Sequence, residues 1–389
     1  MSLKLAWLTP KVQLKCKGIM TAWGEEMARQ GWEFTSNPEE ADLIVFGSDS
    51  QVQHNPDLVG KKPSLCYFWG WPPVRLLDPQ FRAWADGQLE LMSRCTRLLV
   101  PSPCVWDQLC DFGLPSQVCM PGVDARTLEQ GMGGPRESRV VFIGRFDAPH
   151  KNLPQLIHAL AQVKPTPPLL VLGPGNRAPY EDMAQRLGVP LSFAEPDDAE
   201  KAHILKTSAV LVHASNYEGF GLPPVEALYC GTPVIASLTP HNTWLLMSGA
   251  YFFSTEEQLA RLIVHVLEHP QDALALAARG QENARAFLTL EKACERLWVQ
   301  VHQAIKEHLG RELREKPQDW AKTYDAEHRR NWAYSVDRFD PTWARHWRAQ
   351  PFTNLLKECG TREVLDVGCG AVDPTIFARA GFPVHAVAI

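Results

Sequence analysis

Apolar residues fall into short unbroken runs in the first third of the chain, at Leu3–Leu8, Leu43–Gly47, Ser64–Trp69 and Arg97–Pro101. Each run has the length of a buried strand. Between them, Met20–Gln30 carries amphipathic spacing and reads as a helix that Gly31 stops, while the stretch after Gly47, with His54, reads as a polar loop. The pattern breaks at Gly131–Arg139, which is rich in Gly and Pro, lacks an apolar period and reads as a linker. It then restarts with strands at Val140–Gly144, Leu169–Gly173, Ala209–His213 and Val234–Ser237. Helices alternate with them at Leu153–Val163, Tyr180–Leu187 and Pro223–Tyr229. From Ser254 to Glu315 the chain is largely helical. This β/α alternation predicts an α/β protein with two Rossmann-like, doubly wound domains and a ligand cleft between them. The expected boundaries are 1–130, 131–315 with its trailing helices, and 316–389.

Composition changes this picture little. With 389 residues, 45% hydrophobic and 21% charged, the chain has an ordinary globular balance and room for two or three domains. A net charge of −5 argues against a nucleic-acid partner but is compatible with a small basic pocket for phosphate. The 10 cysteines form no CxxC pair and no zinc spacing, which points to reduced thiols and a cytoplasmic setting. Met1–Pro10 is too short an apolar run for a signal peptide, and no run of 18 apolar residues predicts a spanning helix. A peripheral membrane contact stays open, because a surface helix escapes that test.

The candidate chemistry lies in the crossover from Ala209 to Ser237. After the strand, a loop carries Glu218, Gly219 and Gly221, Pro223 suits a helix start, and Glu226 is expected in the first helical turn. The amides of Phe220, Gly221 and Leu222 would point out of the helix N-terminus, whose partial positive charge suits a phosphate. The two carboxylates at the rim can accept hydrogen bonds from sugar hydroxyls. The blander alternative is a tight turn with Glu226 complementing the helix dipole. A second element agrees: Arg145 follows the strand that ends at Gly144, with Lys151 and Asn152 just beyond, and such a cation pair can hold a diphosphate. His213 reads as a core or supporting histidine, and Asp197, Asp198 and Glu200 read as a solvated loop and helix cap. Trp69 and Trp71 suit core packing better than an acceptor-sugar platform.

The stretch Ser215-Asn-Tyr-Glu-Gly-Phe-Gly-Leu-Pro-Pro-Val-Glu-Ala-Leu-Tyr-Cys-Gly-Thr-Pro-Val-Ile-Ala-Ser237 resembles the paired-glutamate motif of retaining glycosyltransferases of family 4 with the GT-B fold. The Gly144-Arg145 and Lys151-Asn152 pairs match the same pattern. That resemblance implies a retaining glycosyltransferase moving a sugar from a nucleotide-diphosphate-sugar donor, a UDP- or GDP-sugar, to a glycan or lipid-linked acceptor, as in bacterial surface glycan synthesis. It places Glu218 at the donor sugar, Glu226 at the ribose, and Arg145 and Lys151 at the diphosphate. Gly144, Phe220, Gly221 and Leu222 fall among the donor contacts, and Gly18 in a first loop that can approach the donor. No metal is implied, since no Asp-x-Asp motif occurs and the cations can replace one. The histidine that many relatives carry after the fourth strand is absent, and Cys66-Tyr-Phe-Trp-Gly-Trp71 stands there instead. A non-catalytic nucleotide-sugar-binding module and a GT-B sugar-nucleotide epimerase are the alternatives. At the far end, Val364-Leu-Asp-Val-Gly-Cys-Gly370 resembles the first motif of Rossmann-like methyltransferases that use S-adenosylmethionine. Val372 replaces the usual third glycine, Ala388 stands at the ribose acid position and the chain stops at Ile389, so a working cofactor site is not expected.

Overall fold

Unbroken apolar strands need cover on both faces, and the chain supplies it with helices between successive strands. The structure, a computed structural model, describes residues 3–8, 15–246, 249–315, 364–367 and 384–387. The chain separates into two compact units, Met1–Glu312 and Leu313–Ile389.

The first unit opens with β1 (Lys4–Leu8), α1 (Lys15–Arg29), β2 (Glu33–Thr35), β3 (Leu43–Phe46), α2 (Asp49–His54), β4 (Ser64–Tyr67), α3 (Pro79–Ser93), β5 (Arg97–Val100), α4 (Pro103–Asp111), β6 (Gln117–Val118) and α5 (Ala125–Gln130). These strands form a parallel six-stranded sheet in the order β2-β1-β3-β4-β5-β6. Then come β7 (Glu137–Ile143), α6 (Leu153–Ala161), β8 (Leu169–Leu172), α7 (Ala178–Leu187), β9 (Leu191–Ala194), α8 (Asp198–Thr207), β10 (Ser208–His213), α9 (Leu222–Tyr229), β11 (Val234–Ser237), α10 (Pro240–Leu246), β12 (Ala250–Phe253), α11 (Glu256–Glu268), α12 (Pro270–Phe287) and α13 (Leu290–Glu315). Their strands form a second parallel six-stranded sheet, β12-β11-β10-β7-β8-β9. The α/β class and the two doubly wound sheets follow the alternation in the sequence. The central strands β3, β4 and β11 are buried at every position, as their uniform apolar runs require.

Three local expectations need correction. The polar stretch after β3 is helical: Asp49–His54 forms α2, because its backbone satisfies itself locally and Gln51 and Val52 turn inward. Strand β7 begins at Glu137, inside the expected linker, where Ser208 supplies a parallel partner for Glu137. Helix α1 begins at Lys15, so Gly18 lies in its first turn rather than in a loop.

The chain crosses between the two sheets twice, side by side. Val123 N–H donates to Leu288 O at 2.8 Å, and Leu290 N–H donates to Val123 O at 3.0 Å. Helix α13 then packs back on the first sheet. Its Ala293, Cys294, Leu297, Val301 and Ala304 recur on one helical face and share a core with Leu5, Met20, Trp23, Leu65, Tyr67 and Leu99. Buried Arg296 ties the two crossings together, donating from Nε to Met120 O at 3.1 Å and from Nη1 to Phe287 O at 2.9 Å.

In the second unit, β13 (Val364–Val367) and β14 (Val384–Val387) pair in parallel, Val364 opposite Val384 and Val367 opposite Val387. The glycine turn Gly368–Gly370, Val372 and Ala388 lie outside the described residues.

Candidate functional site

The site is built where β7 and β10 end, two neighbouring strands at the centre of the second sheet. Beyond β7, Gly144 adopts φ +147°, and the Lys151 side chain runs past its Cα: a methyl group there would lie 3.4 Å from Lys151 Cε. Arg145 is exposed on the loop that follows, and a 3₁₀ turn at Pro149–Lys151 carries the chain inward. Asn152 sits in the left-handed region, φ 55°, which turns the chain into α6 and leaves Lys151 buried at 4% exposure. Asn216 N–H donates to His150 O at 2.8 Å, so the loop after β7 is pinned to the loop after β10.

A lysine this deeply buried needs a counter-charge. Glu218 provides it, accepting a short charge-assisted hydrogen bond from Lys151 Nζ. Burial alone would push the Glu218 carboxyl up, but Lys151, then His213, then hydrogen bonds from Lys151 and Ser215 outweigh it and hold it down at about 2. Glu218 is therefore a carboxylate at neutral pH. His213, 3% exposed at the end of β10, places Nε2 at 3.5 Å from Glu218 Oε1. Burial is the largest influence on this imidazole and lowers it to about 4, with Lys151 and His241 adding to the drop against the pull of Glu218. It is neutral at pH 7, in keeping with a supporting role.

The next residues form the turn into α9. Gly221 is the residue before α9 and takes φ +81°, a left-handed conformation that a side chain would strain. Phe220 is buried, and its carbonyl lies 2.7 Å from Nε2 of His241, which α10 supplies. That contact turns the Phe220 carbonyl inward. Pro223 and Pro224 in the first turn of α9 have no N–H, so the donors left at the helix start are the amides of Gly221 and Leu222. Glu226 stands one turn further along than expected, because α9 begins at Leu222, and no acid occupies the first turn. It is not alone there: Lys201 Nζ on α8 donates to Glu226 Oε1 at 3.0 Å and to Asp198 Oδ1 at 2.8 Å. The acids at Asp197–Glu200 cap α8, with Asp197 accepting from Glu200 N and Glu200 accepting from Asp197 N in a capping box.

The first sheet contributes a loop to the same place. Gly219 lies so close to Trp69 that a methyl group on it would fall 2.3 Å from Trp69 O, and Tyr217 Oη would meet a methyl on Gly70 at 2.3 Å. The loop is anchored from behind: Trp69 Nε1 donates to Gly47 O at 2.9 Å, Trp71 Nε1 to Asp49 Oδ2 at 2.9 Å, and Gln108 Nε2 to Trp71 O at 2.7 Å. Trp71 packs edge-on against Phe68 and Phe81 in the core, as its aromatic surroundings suggest.

Thus Gly144, Lys151, Glu218, Phe220 and Gly221 converge, Arg145 stands on the adjoining exposed loop, and Leu222 and Glu226 follow on α9. Gly18 has no described contact with them. The residues that sequence reasoning missed are Lys201, His241, and the Trp69–Gly70 backbone. Lys201 gave only a weak signal, a lysine in an acidic cap. The other two depend on which loops meet across the fold. Among the described residues, no group of three or more His, Cys, Asp or Glu could hold a metal ion, and no helix is long and apolar enough to cross a membrane.

Two parallel α/β sheets, with a glycine-containing turn after a central strand of the second, define a GT-B-like architecture. Residues 133–287 match the family model for glycosyl transferases group 1. The chain is 33% identical over 173 residues, 41% of its length, to the MMP α-(1→4)-mannosyltransferase of Mycolicibacterium hassiacum, and that match spans 42% of the relative. It resembles in fold the Anabaena Alr3699/HepE structure in complex with UDP and glucose, with a TM-score of 0.64 at 15% identity over 78% of this chain and 100% of the other. Sucrose-phosphate synthase from Thermosynechococcus elongatus gives a TM-score of 0.57 at 21% identity, covering 74% and 77% of the two chains.

Proposed function

We propose that this protein is a retaining, metal-independent glycosyltransferase that takes a UDP- or GDP-sugar. The observation that carries this reading is the buried Lys151–Glu218 pair beside the Phe220–Leu222 turn, inside the segment that matches the glycosyl transferases group 1 model. Cleavage of the bond from the anomeric carbon to the diphosphate oxygen leaves the electron pair, and negative charge, on that oxygen. Arg145, Lys151 and the amides of Phe220, Gly221 and Leu222 stabilise it, a preorganised arrangement that needs no reorganisation at the moment of reaction. The ionised Glu218 serves as hydrogen-bond acceptor to the donor sugar and Glu226 to the ribose. The acceptor hydroxyl attacks on the face the diphosphate leaves, and its proton passes to a phosphate oxygen of the leaving group. The acceptor is a glycan or a lipid-linked glycan, in bacterial surface glycan synthesis, with the chain cytoplasmic and in peripheral contact with the membrane. The mannosyltransferase named above supports a sugar transfer of this kind.

The test is nucleotide release from a panel of UDP-, GDP- and ADP-sugars, with and without candidate acceptors. One donor should turn over, and Glu218→Ala or Arg145→Ala should cut the rate by about 100-fold or more, the usual cost of removing one preorganised charge-stabilising group. Donor binding without turnover under any acceptor would leave a non-catalytic module instead. Interconversion of the donor sugar without acceptor would point to an epimerase.

A further inference from the structure

Glu226 is the one carboxylate of the proposed site whose position is not explained by its own helix. It lies past the first turn of α9, so the helix start does not orient it. Its side chain is 16% exposed, and the hydrogen bond described for it comes from Lys201 Nζ. Lys201 is itself fixed at two points. Its ammonium also reaches Asp198 Oδ1 at 2.8 Å, and its backbone N–H donates to Asp197 O at 2.9 Å within the capped start of α8. Burial is the largest influence on this ammonium and works to lower its pKa, yet Glu226 and Asp198 together outweigh it and the net shift is upward. Lys201 is thus a permanent cation, held by one helix and directed at the carboxylate of the next.

We infer that Lys201 is a positioning residue for ribose recognition: it holds Glu226 Oε1 and leaves the second oxygen to accept from the ribose diol, so that the site prefers ribonucleoside over 2′-deoxyribonucleoside diphosphates. This rests on the reading that Glu226 takes the ribose. A carboxylate with one oxygen pinned loses little freedom on binding a diol, whereas an unpinned one must be ordered by the ligand itself. Lys201 also offsets part of the negative charge of Glu226 and Asp198, which lessens their repulsion of the ligand's phosphates.

The experiment is calorimetric titration of the full chain with UDP, GDP and their 2′-deoxy counterparts. Wild type should favour the ribonucleotide by about tenfold or more, the worth of a hydrogen bond to a charged group. Lys201→Met should weaken ribonucleotide binding by a similar factor and leave the deoxynucleotide nearly unchanged, so that the ratio falls towards one. Lys201→Arg should restore part of the ratio. Asp198→Asn, at a largely exposed position where folding is not at stake, should erode it in the same direction. A loss confined to structure would weaken both ligands equally and keep the ratio. The inference fails if Lys201→Met keeps the wild-type ratio, or if that variant does not fold and Asp198→Asn keeps it. Glu226→Gln separates the two levels: if it abolishes the ratio while the Lys201 and Asp198 variants keep it, only the role of Lys201 falls. If Glu226→Gln keeps the ratio, the ribose reading falls with it.

Discussion

His213 shows how a single buried side chain sets the pH behaviour of the site. Its pKa in the folded protein, about 4, lies below its ordinary 6.5. Between those values the unfolded chain binds a proton that the native state does not, so stability rises with pH across that window. From pH 6.5 down to 4 the protein should lose up to roughly 3 kcal/mol from this residue. Urea unfolding measured at pH 4.5 and 7 checks this: His213→Asn should shrink the difference between the two, and an unchanged difference would show that the imidazole is not buried neutral. Glu218 acts over a lower range. Its depressed pKa contributes stability that is complete above its ordinary 4.5 and is lost as pH falls through about 2. The two effects are therefore separable by pH.

At the scale of elements, the loop after β4 and the loop after β10 are one contact surface. Gly219 has no room for a Cβ against the carbonyl of Trp69. Because Trp69 is held by Gly47, and Trp71 by Asp49 and Gln108, the opposing backbone has little freedom to retreat. Gly219→Ala should cost about 1–3 kcal/mol through forced backbone shifts. It should reduce donor turnover by more than tenfold, since ~1 Å of misplacement is enough for such losses. Comparing its Tm and turnover with wild type checks both. This contact was illegible in the sequence. Gly219 announced a tight approach but not to what, and Trp69 read as core packing, with nothing to say that its backbone would meet the loop after β10. The strands were legible because β3, β4, β10 and β11 are unbroken apolar runs. Edge strands such as β2, with Glu33 and Phe34 exposed, carry no such pattern. The strand–turn–helix of β10 and α9 was legible as well, because glycine and proline at fixed offsets constrain the turn locally, although Glu226 falls one turn further along than expected. The Lys201–Glu226 pair was not, since it depends on α8 packing beside α9.

Over the whole unit, α13 matters more than its position at the end suggests. Its apolar face could be read as buried, but periodicity does not say against which sheet, and it covers the first. Arg296 holds both chain crossings through backbone carbonyls. Replacing it with Met leaves Met120 O and Phe287 O without that donor, and about 2–4 kcal/mol should be lost. Chemical denaturation of Arg296→Met gives the figure directly. A value near zero would mean the crossings are held by the Val123–Leu288 and Leu290–Val123 bonds alone.

The return of α13 also imposes an order on synthesis. The second sheet draws its core from a continuous segment, Val140 to Ala273, and can close once that segment has been made. The first sheet has all its strands by Val118 but lacks Leu297, Val301 and Ala304, so Trp23 and Tyr67 stay uncovered until α13 emerges. At ~5–20 residues per second that wait lasts on the order of ten seconds or more. On the ribosome, of the two six-stranded sheets, the one made first is the one completed last.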